Sequence, residues 1–165
     1  MRLWRGVLLL VLSLGLLAGC SMNYDPQVDI AALDSKIARF AEMVTAENVD
    51  GIMEQYSSDV EPEAYMIYGN MRGSDQIRAG WERLFAEIDV KNLEITEQHH
   101  KLDRNMAVSY GMWRMTIQRG EMEMPIEGRF SNVMGRNAGD GHWQLLAVHL
   151  SVPLPAMAPP PPPEA

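Results

Sequence analysis

Apolar positions divide the chain into two regimes. Between residues 25 and 90 they recur every three or four residues, and from Val90 onward they recur every second residue. Ile30, Leu33, Ile37, Phe40 and Val44 fall on one face of a long amphipathic helix. Asp25 can cap that helix and Pro26 can open it, because proline has no N–H to lose at the first position. Asn48 is placed to cap a second, short helix carrying Val49, Ile52, Met53 and Tyr56. A short apolar run over 64–68 follows Pro62, with a turn expected over 69–73. Ser74 and Asp75 suit the start of a third helix, whose Ile77, Trp81, Leu84, Phe85 and Ile88 form its buried stripe. Strands are expected near residues 91–103, 105–119, 122–135 and 141–152, divided by turn signals at Asp103-Arg104-Asn105, Arg119-Gly120 and 137–141. Three helices ahead of a long antiparallel meander make an α+β layout, with the helices covering one face of a curved sheet. No repeat or second domain is visible.

The two ends do not share this patterning. Arg2 and Arg5 precede an eleven-residue apolar stretch over 7–17, shorter than the roughly 20 residues of a membrane span. It reads as a signal peptide, and Leu17-Ala18-Gly19-Cys20 at its end resembles a bacterial lipobox. The resemblance implies cleavage before Cys20 and diacylglyceryl attachment to its sulfur, and Ser21 resembles the residue that follows in outer-membrane lipoproteins. The expected location is therefore the bacterial cell envelope, lipid-anchored, facing the periplasm from the outer membrane in a Gram-negative host. Cys20 is the single cysteine, so its modification leaves no thiol for disulfides or nucleophilic catalysis. Loss of Arg2 and Arg5 from 14 basic residues leaves 12 against 22 acidic ones, a net of −10. That sign disfavours nucleic acid as a partner, because phosphate neutralisation needs a basic patch. Five consecutive prolines over 159–163 mark residues 153–165 as a proline-rich tail. The organisation is then a leader over 1–19, a lipidated linker over 20–26, one domain over 27–152 and the tail.

Four motifs within the domain carry a further resemblance. Gly73-Ser74-Asp75-Gln76-Ile77-Arg78 with Trp81, Ala107-Val108-Ser109-Tyr110-Gly111-Met112-Trp113, Gly128-Arg129-Phe130-Ser131-Asn132-Val133, and Gly141-His142-Trp143 to His149-Leu150-Ser151-Val152-Pro153 occur in order with suitable spacing. Together they resemble the SnoaL-like and ketosteroid-isomerase-like branch of the nuclear transport factor 2 superfamily. The resemblance implies a cystatin-like cone, three helices on a curved antiparallel sheet, with a pocket between them and a homodimer formed through the sheet. It departs from the branch at Ala147, where a first histidine would stand, so that His149 remains alone.

Strict alternation along the last strand puts Trp143, Leu145, Ala147, His149 and Ser151 on one face and Gln144, Leu146, Val148 and Leu150 on the other. By resemblance the faces bearing Arg129 and His149 line the cone. Arg129 is then a pocket cation for an anion or a member of a structural ion pair, and His149 is an acid/base, a hydrogen-bond donor or a satisfied core histidine. Trp81, Trp113, Tyr68 and Tyr110 are candidate aromatic walls, with ordinary core packing as the alternative. Apolar Leu146, Val148 and Leu150 on the opposite face call for cover by a second copy.

Several chemistries lack their residues. His99 and His100 are neighbours in a strand, so they point to opposite faces and cannot chelate one ion together. No metal-ligand spacing, phosphate-cradling glycine loop, dinucleotide fingerprint or nucleophile elbow occurs, and no cofactor is expected. The expectation is a pocket binding a small anionic or amphipathic organic molecule. One alternative is a cofactor-independent isomerase, cyclase or hydrolase using His149 and Arg129, and another is a non-catalytic assembly module of an envelope complex.

Overall fold

The computed structural model describes residues 25–67 and 69–153. Helix α1 spans Pro26–Thr45, with the Asp25 carboxylate accepting from Gln27 N and the proline at the first position, as the sequence predicts. Helix α2, Val49–Met53, is capped by Asn48, whose side chain accepts from Gly51 N. Strands β1 (Glu63–Met66) and β2 (Gly69–Arg72) form a hairpin. The turn expected over 69–73 is thus corrected: residues 69–72 pair with β1, an interaction that reading local turn residues does not reveal. Helix α3 covers Ser74–Glu87 and leads into the long strands β3 (Asp89–Leu102), β4 (Met106–Arg119), β5 (Met122–Arg136) and β6 (Trp143–Ser151).

The six strands make one sheet in the order β2-β1-β6-β5-β4-β3. All neighbours are antiparallel except β1 and β6, which run parallel with Tyr65 beside His149. Helices α1 and α3 lie against one face. Leu33, Ile37 and Val44 of α1 and Ile77 and Trp81 of α3 join Trp113, Met115, Phe130, Met134 and Val148 from the sheet in one core. This is the helix-covered cone of a cystatin-like α+β fold, as expected.

A buried ion pair fastens the start of α1 to the far end of the sheet. Asp29, only 6% exposed, accepts from Arg136 Nη2 and lies 3.3 Å from Trp143 Nε1, while the guanidinium sits 4.4 Å over the Trp143 ring. Charge, hydrogen bonds and cation–π attraction converge on one point, which is how an acid tolerates burial.

Strand β6 contains a β-bulge. Val133 pairs with Ala147 but Met134 pairs with Leu145, so residues 146 and 147 together occupy one step of the ladder. Trp143 and Leu145 therefore point into the cone, and after the bulge so do Val148 and Leu150. The strict alternation assumed for this strand fails at that point, because an extra residue reverses the parity of everything after it.

Candidate functional site

The bulge and the in-register pairing of β5 decide which side chains reach the interior. Phe130 and Asn132 of β5 face inward, opposite Leu150 and Val148 of β6. Arg129 and Ser131 consequently face outward, opposite Ser151 and His149. The inward placement of Arg129 and His149 is corrected: both are exposed on the uncovered face of the sheet. Tyr110 pairs with Ser131 on that same outer face, where its ring lies 5.4 Å from His99, so it is no wall of the cone and instead borders, with Arg129, a shallow depression outside it. Val148 and Leu150, expected to need a partner's cover, are already covered by the helices. Trp81 and Trp113 do face inward as expected. Tyr68 and Cys20 lie outside the described residues.

Between α1, α3 and the sheet lies a narrow, partly open cavity of about 60 Å³. Phe40, Trp81, Trp113, Phe130, Val148 and Leu150 form much of its wall, and Phe40 meets Trp81 edge-on at 5.9 Å. The Trp113 indole N–H donates to Arg129 O at 3.0 Å, which fixes that ring and leaves its carbon face to the cavity. Among the described lining residues none is ionisable. Asn132 is the polar exception: it lines the cavity, is 7% exposed, and its Oδ1 has no hydrogen-bond partner. A buried amide left unpaired costs about 1–3 kcal/mol, so a group that met it would recover that amount. The Trp81 Nε1 and Tyr56 Oη are likewise buried without partners, and burial pushes the Tyr56 phenol well above its ordinary range.

A larger cleft of about 540 Å³ opens beside this cavity and shares Met66, Trp81 and Leu84 as walls. Its apolar side is formed by Met71, Ile88, Ile117, Met124 and Ile126, and its rim carries Asn70, Arg83, Glu87 and Arg119. Volumes of roughly 300–1,000 Å³ are usual for small-molecule sites. The β1–β2 hairpin makes one wall of this cleft, and its assignment as a turn is why sequence reading missed Asn70 and Met71.

Sequence reading also missed a Ser-His-Asp contact. His100 Nε2 lies 2.9 Å from Asp34 Oδ1 and Nδ1 lies 2.7 Å from Ser109 Oγ. A carboxylate only accepts, so His100 Nε2–H donates to Asp34, while Nδ1 pairs with the Ser109 hydroxyl. Ser109 is fully buried, which closes it to substrate, and the contact ties α1 to β3 and β4. His99 turns the other way, toward Glu97, as adjacency in a strand requires. Among the described residues no group of acids, histidines and cysteines could hold a metal, and no helix is long and apolar enough to cross a membrane.

The profile of the SnoaL-like domain matches residues 33–155. No curated protein matches the chain. Among solved structures, a nuclear transport factor 2-like superfamily protein from Salmonella enterica serovar Typhimurium is 18% identical with a TM-score of 0.68, over 79% of this chain and 96% of that one. A protein of unknown function from Mycobacterium tuberculosis superposes with a TM-score of 0.70 at 13% identity, over 79% and 75% of the two chains. A ketosteroid isomerase-like protein from Erwinia carotovora atroseptica gives 0.66 at 14% identity, over 76% and 96%.

Proposed function

The chain belongs to the SnoaL-like domain family, and from that premise we propose that its cone is a receptor for a small, largely apolar organic molecule bearing one hydrogen-bonding group. The unpaired Asn132 amide carries this reading, because an apolar cavity with an unanswered amide oxygen in its wall is complementary to such a molecule. The absence of an ionisable side chain from the described lining favours binding over acid–base turnover. An isomerase, cyclase or hydrolase reaction using Arg129 and His149 loses its support, since neither residue reaches the cavity.

Native mass spectrometry of the protein purified from its own host tests this. A retained small molecule is expected on the wild type and absent from Asn132→Leu, which removes the amide and fills space. Asn132→Leu should also melt no lower than wild type, since it deletes a buried unsatisfied group. Wild-type protein that carries nothing, or a variant that keeps the same molecule, would overturn the reading.

We further propose that Cys20 carries the lipid that holds the domain to the envelope, on the strength of Leu17-Ala18-Gly19-Cys20 after an apolar leader. Cys20→Ser should abolish incorporation of labelled acyl chain, and label retained by that variant would exclude it. Pairing of two copies through the outer sheet face is also proposed. It rests on Val108 and Tyr110, which no helix covers, and not on Val148 and Leu150.

A further inference from the structure

The cleft beside the cavity differs in charge from the rest of the molecule. The whole chain has a net charge of −8, yet its rim sets Arg83 of α3 and Arg119 at the end of β4 against Glu87 alone. Arg39, Arg72, Arg78, Arg114 and Arg136 are each engaged by an acid. Among the described residues Arg83 and Arg119 take part in no ion pair or side-chain hydrogen bond, a property they share with Arg129 on the outer sheet face, but Arg83 and Arg119 alone of these three line the cleft. Two arginines kept from acids at the mouth of an apolar cleft present their planar donor forks to whatever occupies it.

Behind them the surface is apolar and soft. Met66, Met71 and Met124 line the cleft, and unbranched thioether side chains re-pack around a flexible chain at low cost. Met66, Trp81 and Leu84 wall both spaces, so the cleft and the inner cavity lie side by side. Charge therefore lies at the rim of the cleft, with thioether and aromatic surface behind it.

We propose that this site takes an anionic amphiphile in a fixed direction, with the apolar body in the cleft and the anionic head held by Arg83 and Arg119 at the mouth. The proposal rests on the reading of the cone as a small-molecule receptor and adds the class and orientation of the ligand. It also relocates the anion contact from Arg129, on the outer face, to two residues that sequence patterning did not single out.

Decanoate and 1-decanol, which share a chain length and differ in head charge, are suitable probes. Each is titrated into the purified full chain and followed by tryptophan fluorescence, since Trp81 lines both spaces. Decanoate should bind about tenfold or more tightly than decanol at low salt, and the preference should shrink as salt rises. The double variant Arg83→Gln with Arg119→Gln should weaken decanoate to the level of decanol while leaving decanol unchanged. Glu87→Gln should tighten decanoate alone. Equal binding of the two probes to wild type, or a preference that survives the double variant, would overturn the proposal while leaving the receptor reading intact. Failure of both probes to bind would overturn it too, and the receptor reading would still be judged by the retained-ligand measurement.

Discussion

Lys36 and Tyr56 set opposite slopes on how stability responds to pH. Burial, helped by the nearby positive charge of Arg39, lowers the Lys36 ammonium to about 8 from 10.5, and Nζ donates to Gln55 Oε1 at 3.1 Å. Below pH 8 both folded and unfolded chains hold this proton, and the folded one bears the full cost of a desolvated charge. Between 8 and 10.5 the unfolded chain binds more protons, so stability climbs with pH. Tyr56 works the other way: burial raises its phenol above 10, and from there the folded chain holds a proton that the unfolded one releases. Urea unfolding from pH 7 to 11 should therefore show stability rising to about pH 10 and then falling. Lys36→Met should remove the rise and Tyr56→Phe the fall, and a flat wild-type profile over pH 8–10 would contradict the first. Neither residue was legible as special in the sequence, because Lys36 sits at an ordinary polar helix position and only tertiary packing around α1 desolvates it.

At the scale of the element, close strand packing excludes any side chain at Gly128, as it does at Gly111. A Cβ added to Gly128 would stand 2.1 Å from Ser151 O and 2.7 Å from the Trp113 ring, so neither the backbone of β6 nor a cavity-lining indole could stay in place. Gly128→Ala should destabilise the fold by about 3 kcal/mol, at the upper end for overpacking. Gly120→Ala meets nothing within 4 Å and pays only for its left-handed φ of +61°, about 1–2 kcal/mol. Denaturant midpoints of the two variants check the difference, and equal midpoints would refute it. Local chemistry made most of the elements readable: the Asp25 and Asn48 caps, the α1 stripe and the four long strands stand where periodicity puts them, whereas α2 stops at Met53, leaving Tyr56 in a β-bridge to Leu145, and α3 stops at Glu87, just before Ile88. What periodicity could not supply is the bulge at residues 146–147. A bulge is created by a mismatch between two strands, and no feature of β6 alone shows that β5 opposes two of its residues with one. That single missing register shift turned His149 inward on paper and outward in the structure. For Arg129 the strand's own alternation was read correctly, and only the choice of which face is interior was wrong.

For the whole molecule, the uncovered sheet face determines how copies can meet. Val108 and Tyr110 are 39% and 37% exposed, and Met112, Val133 and Ala147 lie on the same face among polar Ser131, Arg129 and His149. Light scattering on the purified chain should give about twice the monomer mass, and Val108→Glu should halve it without unfolding the protein. A monomeric wild type at micromolar concentration would remove the proposed dimer. Val148→Glu is no substitute, because Val148 is part of the core and its replacement would unfold the chain. The parallel contact between β1 and β6 has a consequence of another kind. The segment over 55–66 finds its sheet neighbours at 145–149: Leu145 exchanges backbone hydrogen bonds with Gln55 and Ser57, and Glu63, Ala64 and Tyr65 pair with Ala147, Val148 and His149. A polypeptide that emerges from a ribosome, or is threaded through a translocation pore, amino end first must therefore wait for its last strand before this seam can close. Until then the hairpin that walls the cleft rests on α3 alone, and that wall of the binding surface lacks its neighbour in the sheet.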